Sequence, residues 1–445
     1  MNILVLSTIS DQGYASAIKG RLEQTKYKVK LDFSTRYDQS SSLFSPIPDV
    51  VILVVSNSIY SNEQYLLRSG DIVMQCILKT KPRLVIVRLD QTIGLSFFSK
   101  FPEVFVSKKS IATSPEEEEI NDELLVTDEE LDSIIAKIRN LGRRIQNPSS
   151  PVRPYCDFFR KQLSCGRLTL VCGAGISIQA GIPKWSDLLA DLSDKLIENT
   201  SKKHSKELGF TAKKEINQRY GSSPLIFAKY LKDNFGKTFI RELRSALYRT
   251  TSDNSELLDS IVNVARARRS GAKLDSIITF NFDCLIEEFL EKNSIDYKSI
   301  HSEVTDHEPE EIPIYHVHGF LPRNEIFGEK PGLVFSEDAY HTQFIDSFSW
   351  SNLVQLTKFN ETTCIFIGIS LTDPNLRRLL DISRRKKKGS GVEHYIIKKV
   401  PAMSKKNKSL QILLQIMEER DAISLGINTI WINDYKEIPE ILNCI

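Results

Sequence analysis

The sequence predicts an α/β protein with two parallel sheets, and three observations carry that prediction. Short runs of Val, Ile and Leu alternate with longer amphipathic stretches along the chain, the order that strands with crossover helices impose. A Pro/Ser-rich segment, NPSSPVRP at 147–154, interrupts the pattern and reads as a linker. The length of 445 residues exceeds what one core usually organises, since domains hold about 100 to 200 residues each.

In the expected first domain, 1–146, strand-like runs fall at 2–6, 27–33, 49–55 and 83–89, with helices expected at 14–24, 63–78 and 128–146 and an acidic stretch at 116–119. The expected second domain, 155–445, has apolar runs at 167–172, 275–280, 312–318, 363–367, 393–398 and 429–432. Between its first two strands lies a helical insertion at about 187–272. Within it Leu225, Ile226, Ala228, Leu231, Phe235, Phe239, Leu243 and Leu247 recur at helical intervals over 224–248.

Composition narrows the function. Lys and Arg number 59 against 57 Asp and Glu, a formal charge of +2, too little for a surface that neutralises many phosphates, so no direct nucleic-acid partner is expected. No apolar run reaches the 18 or so residues of a membrane span, and the start MNILVLSTISDQ lacks the pattern of a signal peptide. The expectation is a cytoplasmic protein with no membrane partner. The seven cysteines are scattered without a CxxC pair, so they are expected to be reduced, packed thiols rather than a disulfide framework or a metal site. The basic run at 384–388, followed by GSG, reads as a solvated loop.

Four segments carry chemistry. RLTLVCGAGIS at 167–177 is a strand entering a Gly-rich turn, whose bare backbone either admits a dinucleotide pyrophosphate or merely turns tightly. Ile178 stands where the dehydrogenase fingerprint needs a third small residue, which disfavours hydride transfer. GIPKW follows as a loop able to close over a ligand, leading into a helix with Leu188, Leu189, Leu192 and Leu196 on its core face. In SIITFNFDCLIEEFL the strand ends with Asn281 and Asp283 at the carboxyl edge where open α/β sheets bind ligands; Asp283 also suits a helix cap, which leaves Asn281 the harder to explain structurally. IPIYHVHGF places Ile314, His316 and His318 on one strand face, with His318 at the strand end as a candidate general base and His316 expected to act mainly through packing. CIFIGISLTDPNLRRLL ends another strand in Gly368, Ser370 and Asp373; Ser370 can meet a ribose or phosphate, while Asp373 can serve as a cap alone.

In this order, GAGIS with GIPKW, FNFD, HVHG and GISLTD resemble the sirtuin superfamily over 151–445. The resemblance implies a Rossmann-like domain that binds NAD. It implies that Gly173, Ala174, Gly175 and Ser177 line the pyrophosphate, with Ile182, Pro183 and Trp185 in the loop beside it. Asn281 would orient the ribose or the attacking water, Asp283 would hold the nicotinamide carboxamide, His318 would act on a ribose hydroxyl, and Gly368 and Ser370 would meet the adenosine half. Deacetylating sirtuins carry a four-cysteine zinc module after the HG motif, but no Cys occurs from 319 to 363, so no structural zinc is expected. The GIPxW form and the insertion resemble the sirtuin-like NAD hydrolases of bacterial antiphage systems, which implies NAD as substrate, cleaved to nicotinamide and ADP-ribose. That resemblance also implies a homo-oligomer and a trigger, either an operon partner such as a HerA-type ATPase or a phage-derived activator. The alternatives are a sensor that binds NAD or an NAD-derived signal without turnover, and a zinc-less protein deacylase.

The first domain resembles a TIR-like or flavodoxin-like fold through VVSNSIYSNEQYLLRSG. TIR enzymes carry a catalytic Glu on the helix after such a segment; here Glu63 comes early and Arg68 falls near the expected place. A regulatory or oligomerising role is therefore expected of it.

Overall fold

The computed structural model describes residues 1–25, 27–33, 48–56, 69, 72, 83–89, 103–106, 126–140, 154–204, 215–216, 218–268, 273–304, 306–324, 332–386, 393–402 and 408–445. The linker before Pro154, the acidic stretch at 116–119, Cys76, Glu63 and Arg68 lie outside the described residues. The chain divides into two compact units, 1–151 with 400–423 and 152–399 with 424–445. The helix Lys408–Ser424 thus groups almost wholly with the first unit, whereas the sequence predicts one unbroken second domain from 155 to 445.

In the first unit the strands β1 (Asn2–Leu6), β2 (Lys28–Asp32), β3 (Val50–Val55), β4 (Arg83–Arg88) and β5 (Glu103–Phe105) form a parallel sheet of order β2-β1-β3-β4-β5. This is the flavodoxin-like order. β3 reads VVILVV and is buried throughout, as a central parallel strand covered on both faces must be. Helices α1 (Gln12–Gln24) and α2 (Asp128–Asn140) supply Ile18, Leu22, Ile134 and Ile138 to the core built on it. β5 was not anticipated; three residues carry too little periodicity to be seen.

The second unit opens with α3 (Pro154–Ser164) and β6 (Leu168–Cys172). The insertion then contributes α4 (Trp185–His204), α5 (Pro224–Phe235), α6 (Phe239–Leu247) and α7 (Glu256–Ala265). The apolar series over 224–248 is split between α5 and α6, because Gly236 adopts φ +51° and ends α5. There follow β7 (Ser276–Thr279), α8 (Leu285–Lys292), β8 (Tyr297–Ile300), β9 (Ile312–His316), α9 (Glu337–Ile345), α10 (Trp350–Glu361), β10 (Thr363–Ile367), α11 (Pro374–Lys386), β11 (His394–Lys399), β12 (Ile427–Ile432) and α13 (Glu437–Asn443); α12 (Lys408–Ser424), which groups with the first unit, comes between β11 and β12 in the chain. The basic run begins inside α11 rather than in a loop: Arg384, Arg385 and Lys386 form its last turn, where cations suit the helix dipole.

All strands of this unit pair in parallel in the order β12-β11-β10-β6-β7-β9-β8. From β6 the chain first builds the sheet toward β7 and later returns to add β10 on the other side. The crevice between the carboxyl ends of β6 and β10 is the topological switch point, where such sheets bind ligands. Cys156 and Cys444 are joined as a disulfide, with Cα atoms 5.9 Å apart, which corrects the expectation of reduced thiols throughout. Their 288-residue separation explains the miss: α3 and α13 meet only through the tertiary fold, and spacing alone says nothing about such a pair.

Candidate active site

A cavity of about 470 Å³ opens at the switch point, within the size range of small-molecule sites. Gly173, Ala174, Ile182, Pro183, Trp185, Asn281, Asp283, His318, Gly368 and Ser370 all line it. Gly175 and Ser177 are not among its lining residues. Its remaining walls include Leu188, Pro224, Leu225 and Leu247 from the helical insertion, which makes one side of the site apolar.

The glycines after β6 and β10 interlock. Gly173 N donates to Ile367 O and Gly175 N to Gly368 O, each at 3.0 Å. A Cβ on Gly175 would stand 2.5 Å from Gly368 Cα, and one on Gly368, whose φ is +68°, would stand 2.7 Å from Ile176 N. Close backbone approach therefore accounts for Gly175 without a ligand. The GIPKW loop is anchored rather than loose. Gly181 has φ +90° and a Cβ there would lie 1.7 Å from Thr250 O, while Ser252 N donates to Ala180 O at 2.8 Å. Trp185 packs at 4.9 Å on Phe335, which also receives Phe239 at 5.0 Å, so the loop, the insertion and the segment before α9 share one aromatic joint.

Asn281 and Asp283 leave the end of β7 and meet at Ser177. Asn281 Nδ2 donates to Ser177 Oγ (3.0 Å), and Ser177 Oγ donates to Asp283 Oδ1 (3.1 Å). The Ser177 hydroxyl is thus spent behind the site, orienting both side chains, instead of facing a pyrophosphate as the resemblance implied. With its amide nitrogen engaged, Asn281 keeps Oδ1 to accept from a water. Asp283 Oδ1 also accepts from Leu285 N at 3.2 Å at the start of α8, although the N-cap position itself is Cys284, one residue later than expected. Burial pushes the Asp283 carboxyl up to about 6, against the pull of its hydrogen bonds.

The two histidines have different surroundings, contrary to the shared face read from alternation. β9 ends at His316 and a turn follows, so the period of two fails at its last step. His316 is fully buried, with Nε2 2.6 Å from Glu287 Oε1 and Nδ1 3.2 Å from Asn281 O. A carbonyl can only accept, so Nδ1 carries a proton and His316 holds the main chain of Asn281 in place. Ser299 Oγ donates to the same Glu287 oxygen at 2.8 Å. His318 instead lines the cavity, between the rings of Phe280 (4.8 Å) and Tyr340 (5.7 Å). Burial lowers its pKa below the ordinary histidine value, which favours a neutral imidazole able to take a proton.

One polar cavity residue, Tyr340, escaped the sequence reading, and Asp373 has a contact beyond the cap expected of it. Tyr340 belongs to α9, outside every motif, and its OH donates to Asp373 Oδ2 at 2.8 Å. Asp373 caps α11 as expected, through Oδ1 and Leu376 N at 2.7 Å, and its other oxygen lies 3.4 Å from His318 Nε2. Among the described residues, no group of three or more His, Cys, Asp or Glu side chains is arranged to hold a metal ion, and no helix is long and apolar enough to cross a membrane.

Residues 275–418 match the SIR2-like domain family, the region that supplies Asn281, Asp283, His318, Gly368 and Ser370. The chain is similar to the NAD(+) hydrolase ThsA of Enterococcus faecium, 25% identical over 309 residues that cover 64% of this chain and 56% of that protein. It is likewise similar to the NAD(+) hydrolase ThsA of Bacillus cereus, 24% identical over 292 residues covering 64% and 55%. The chain spans just over half the length of these curated relatives.

Proposed function

We propose that this chain is an NAD hydrolase that cleaves NAD to nicotinamide and ADP-ribose, and that it depletes NAD in antiphage defence. The observation that carries this reading is the convergence of Asn281, Asp283 and His318 on one cavity at the switch point of a SIR2-like unit. The two similar proteins named NAD(+) hydrolase support the substrate class.

The chemistry asks little of the protein beyond positioning. The bond from the ribose to nicotinamide breaks with its electron pair going to the ring nitrogen, positive charge develops on the sugar, and water supplies the new C–O bond. Asp283 accepts from the carboxamide N–H groups and seats the leaving group. Asn281 Oδ1 aligns the water, and neutral His318 takes up a proton. Holding reactants in such alignment removes much of an entropic barrier. The apolar wall of Leu188, Pro224, Leu225 and Leu247 limits bulk water around the developing charge, which strengthens the electrostatic help from Asp283. Gly173, Ala174, Gly368 and Ser370 serve the pyrophosphate and adenosine half.

Incubation of the full chain with NAD, with products separated by chromatography, tests this. Nicotinamide and ADP-ribose in equal amounts are expected. NAD bound but recovered intact would replace the hydrolase with a sensor module, and transfer of an acyl group from a peptide would replace it with a deacylase.

A further inference from the structure

The hydrolase reading gives His318 a proton to accept but says nothing of what sets its tautomer. We propose that Asp373 is the positioning residue for His318, holding the imidazole with its proton on Nε2, and that Tyr340 fixes Asp373 for this task; the assignment rests on the cavity being the NAD site.

Three observations converge on it. His318 Nε2 is buried and, among the described residues, has no hydrogen-bond partner, while the Asp373 carboxylate stands 3.4 Å away. A buried ring nitrogen left unpaired costs as much as a lost hydrogen bond, and Asp373 Oδ2 is placed to supply the pairing once a substrate draws the two together, as catalytic hydrogen bonds often tighten only in the complex. Second, both carboxylate oxygens of Asp373 are fixed, one by the α11 amide of Leu376 and the other by Tyr340 OH. A cap needs only one oxygen, so the cap does not explain the contact with Tyr340. Third, the His318 ring is held edge-on by Phe280 and Tyr340, so the direction of Nε2 is set by packing.

The consequence is chemical. With the proton on Nε2 facing a carboxylate, Nδ1 keeps its lone pair and is the atom that can accept a proton. When an O–H bond of the ribose or water breaks and an N–H bond forms at Nδ1, the imidazolium gains a charge-assisted hydrogen bond from Nε2 to Asp373. The other titratable groups around this cavity are Tyr340 on α9 and Asp283 after β7; the insertion side chains Trp185, Leu188, Pro224, Leu225 and Leu247 carry no charge. Burial and the neighbouring carboxylate keep Tyr340 protonated far above neutrality, so its hydroxyl remains a donor to Asp373.

The test is Asp373→Asn in the full chain. Asn can still cap α11 through its oxygen, but its NH2 then replaces Oδ2, so it can only donate to Tyr340 and turns an N–H toward Nε2, which favours the opposite tautomer. Nicotinamide release should fall about 10²-fold in kcat, in the range for a compromised general base, with KM for NAD little changed and the acid limb of kcat/KM moved to lower pH. Tyr340→Phe should cost on the order of 10-fold, as expected for one hydrogen bond to a charged group. In parallel, ring-labelled histidine NMR follows the His318 titration in wild type and Asp373→Asn, with the signal assigned by His318→Gln. A His318 titration moved to lower pH in Asp373→Asn supports the assignment even if wild type releases no nicotinamide, an outcome that would sink the hydrolase reading alone. Unchanged His318 titration, or active wild type with Asp373→Asn equally fast, overturns it.

Discussion

Both units end their parallel strands in buried polar residues, yet the two clusters are wired differently. In the first unit, Asp11 Oδ2 accepts from Thr8 Oγ1 at 2.9 Å and from Ser56 Oγ at 2.5 Å, and Ser7 Oγ donates to Thr8 O. Those groups are hydrogen-bonded to one another at the ends of β1 and β3. In the second unit, Asn281, Asp283, His318 and Asp373 line a cavity, and one buried ring nitrogen there has no hydrogen-bond partner among the described residues. The carboxyl edge of a parallel sheet collects polar side chains in either case. What distinguishes a reactive site is polar capacity held in reserve beside an enclosed space, with one carboxyl raised to about 6 by burial.

The sharpest way to break this comparison is to remove the reserve. Asn281→Ala and His318→Ala should each reduce NAD cleavage by about 10² to 10⁴ with the folded state retained, as judged by circular dichroism and melting temperature. Loss of folding in both variants would show that these side chains serve packing, like those of the first unit.

His316 sharpens the contrast within the second unit. Alternation makes it look like a packing residue, but its two ring nitrogens hold Glu287 and Asn281 O. His316→Ala strands a buried carboxylate and should destabilise the fold by about 3–5 kcal/mol in urea unfolding, with Glu287→Gln milder because the amide oxygen can still accept from the ring N–H. A His316→Ala protein as stable as wild type would mean that the pair contributes nothing to the site's frame.

Asp283 is expected to act in the opposite sense. Its folded pKa of about 6 exceeds the ordinary aspartate value of 3.8, so its contribution to stability is fully present below 3.8 and lost as pH rises through 6. Asp283→Asn should therefore stabilise the ligand-free protein by about 2–3 kcal/mol at pH 8, with the gain vanishing near pH 3.5, while NAD binding is lost. A pH-independent effect would show that the group is not strained by burial. The smallest effect belongs to the first unit: Asp11→Ala, which leaves two hydroxyls without their acceptor, should cost about 1–3 kcal/mol in stability and leave NAD turnover per folded molecule unchanged.

Much of the frame was legible because local chemistry dictates it. Continuous apolar runs such as VVILVV and TCIFI can only be covered parallel strands, and Gly, Asn, Asp and His at their ends mark the carboxyl edge. What was not legible depends on partners remote in sequence. Tyr340 touches Asp373 across 33 residues from a helix with no motif, Ser177 turns away from the cavity toward residues 104 and 106 positions later, and Cys156 meets Cys444 only in three dimensions. The division of labour between His316 and His318 was hidden because a strand ends between them, and no alternation rule says where a strand stops.

The central claim is that the cavity breaks NAD rather than merely holding it. A time course of nicotinamide release by the purified 445-residue chain, run beside Asn281→Ala at equal concentration, tests it most directly. The account predicts many turnovers per wild-type chain and a rate lower by about 10² or more in the variant; release that never exceeds one nicotinamide per chain, or that is equal in the two proteins, would contradict it.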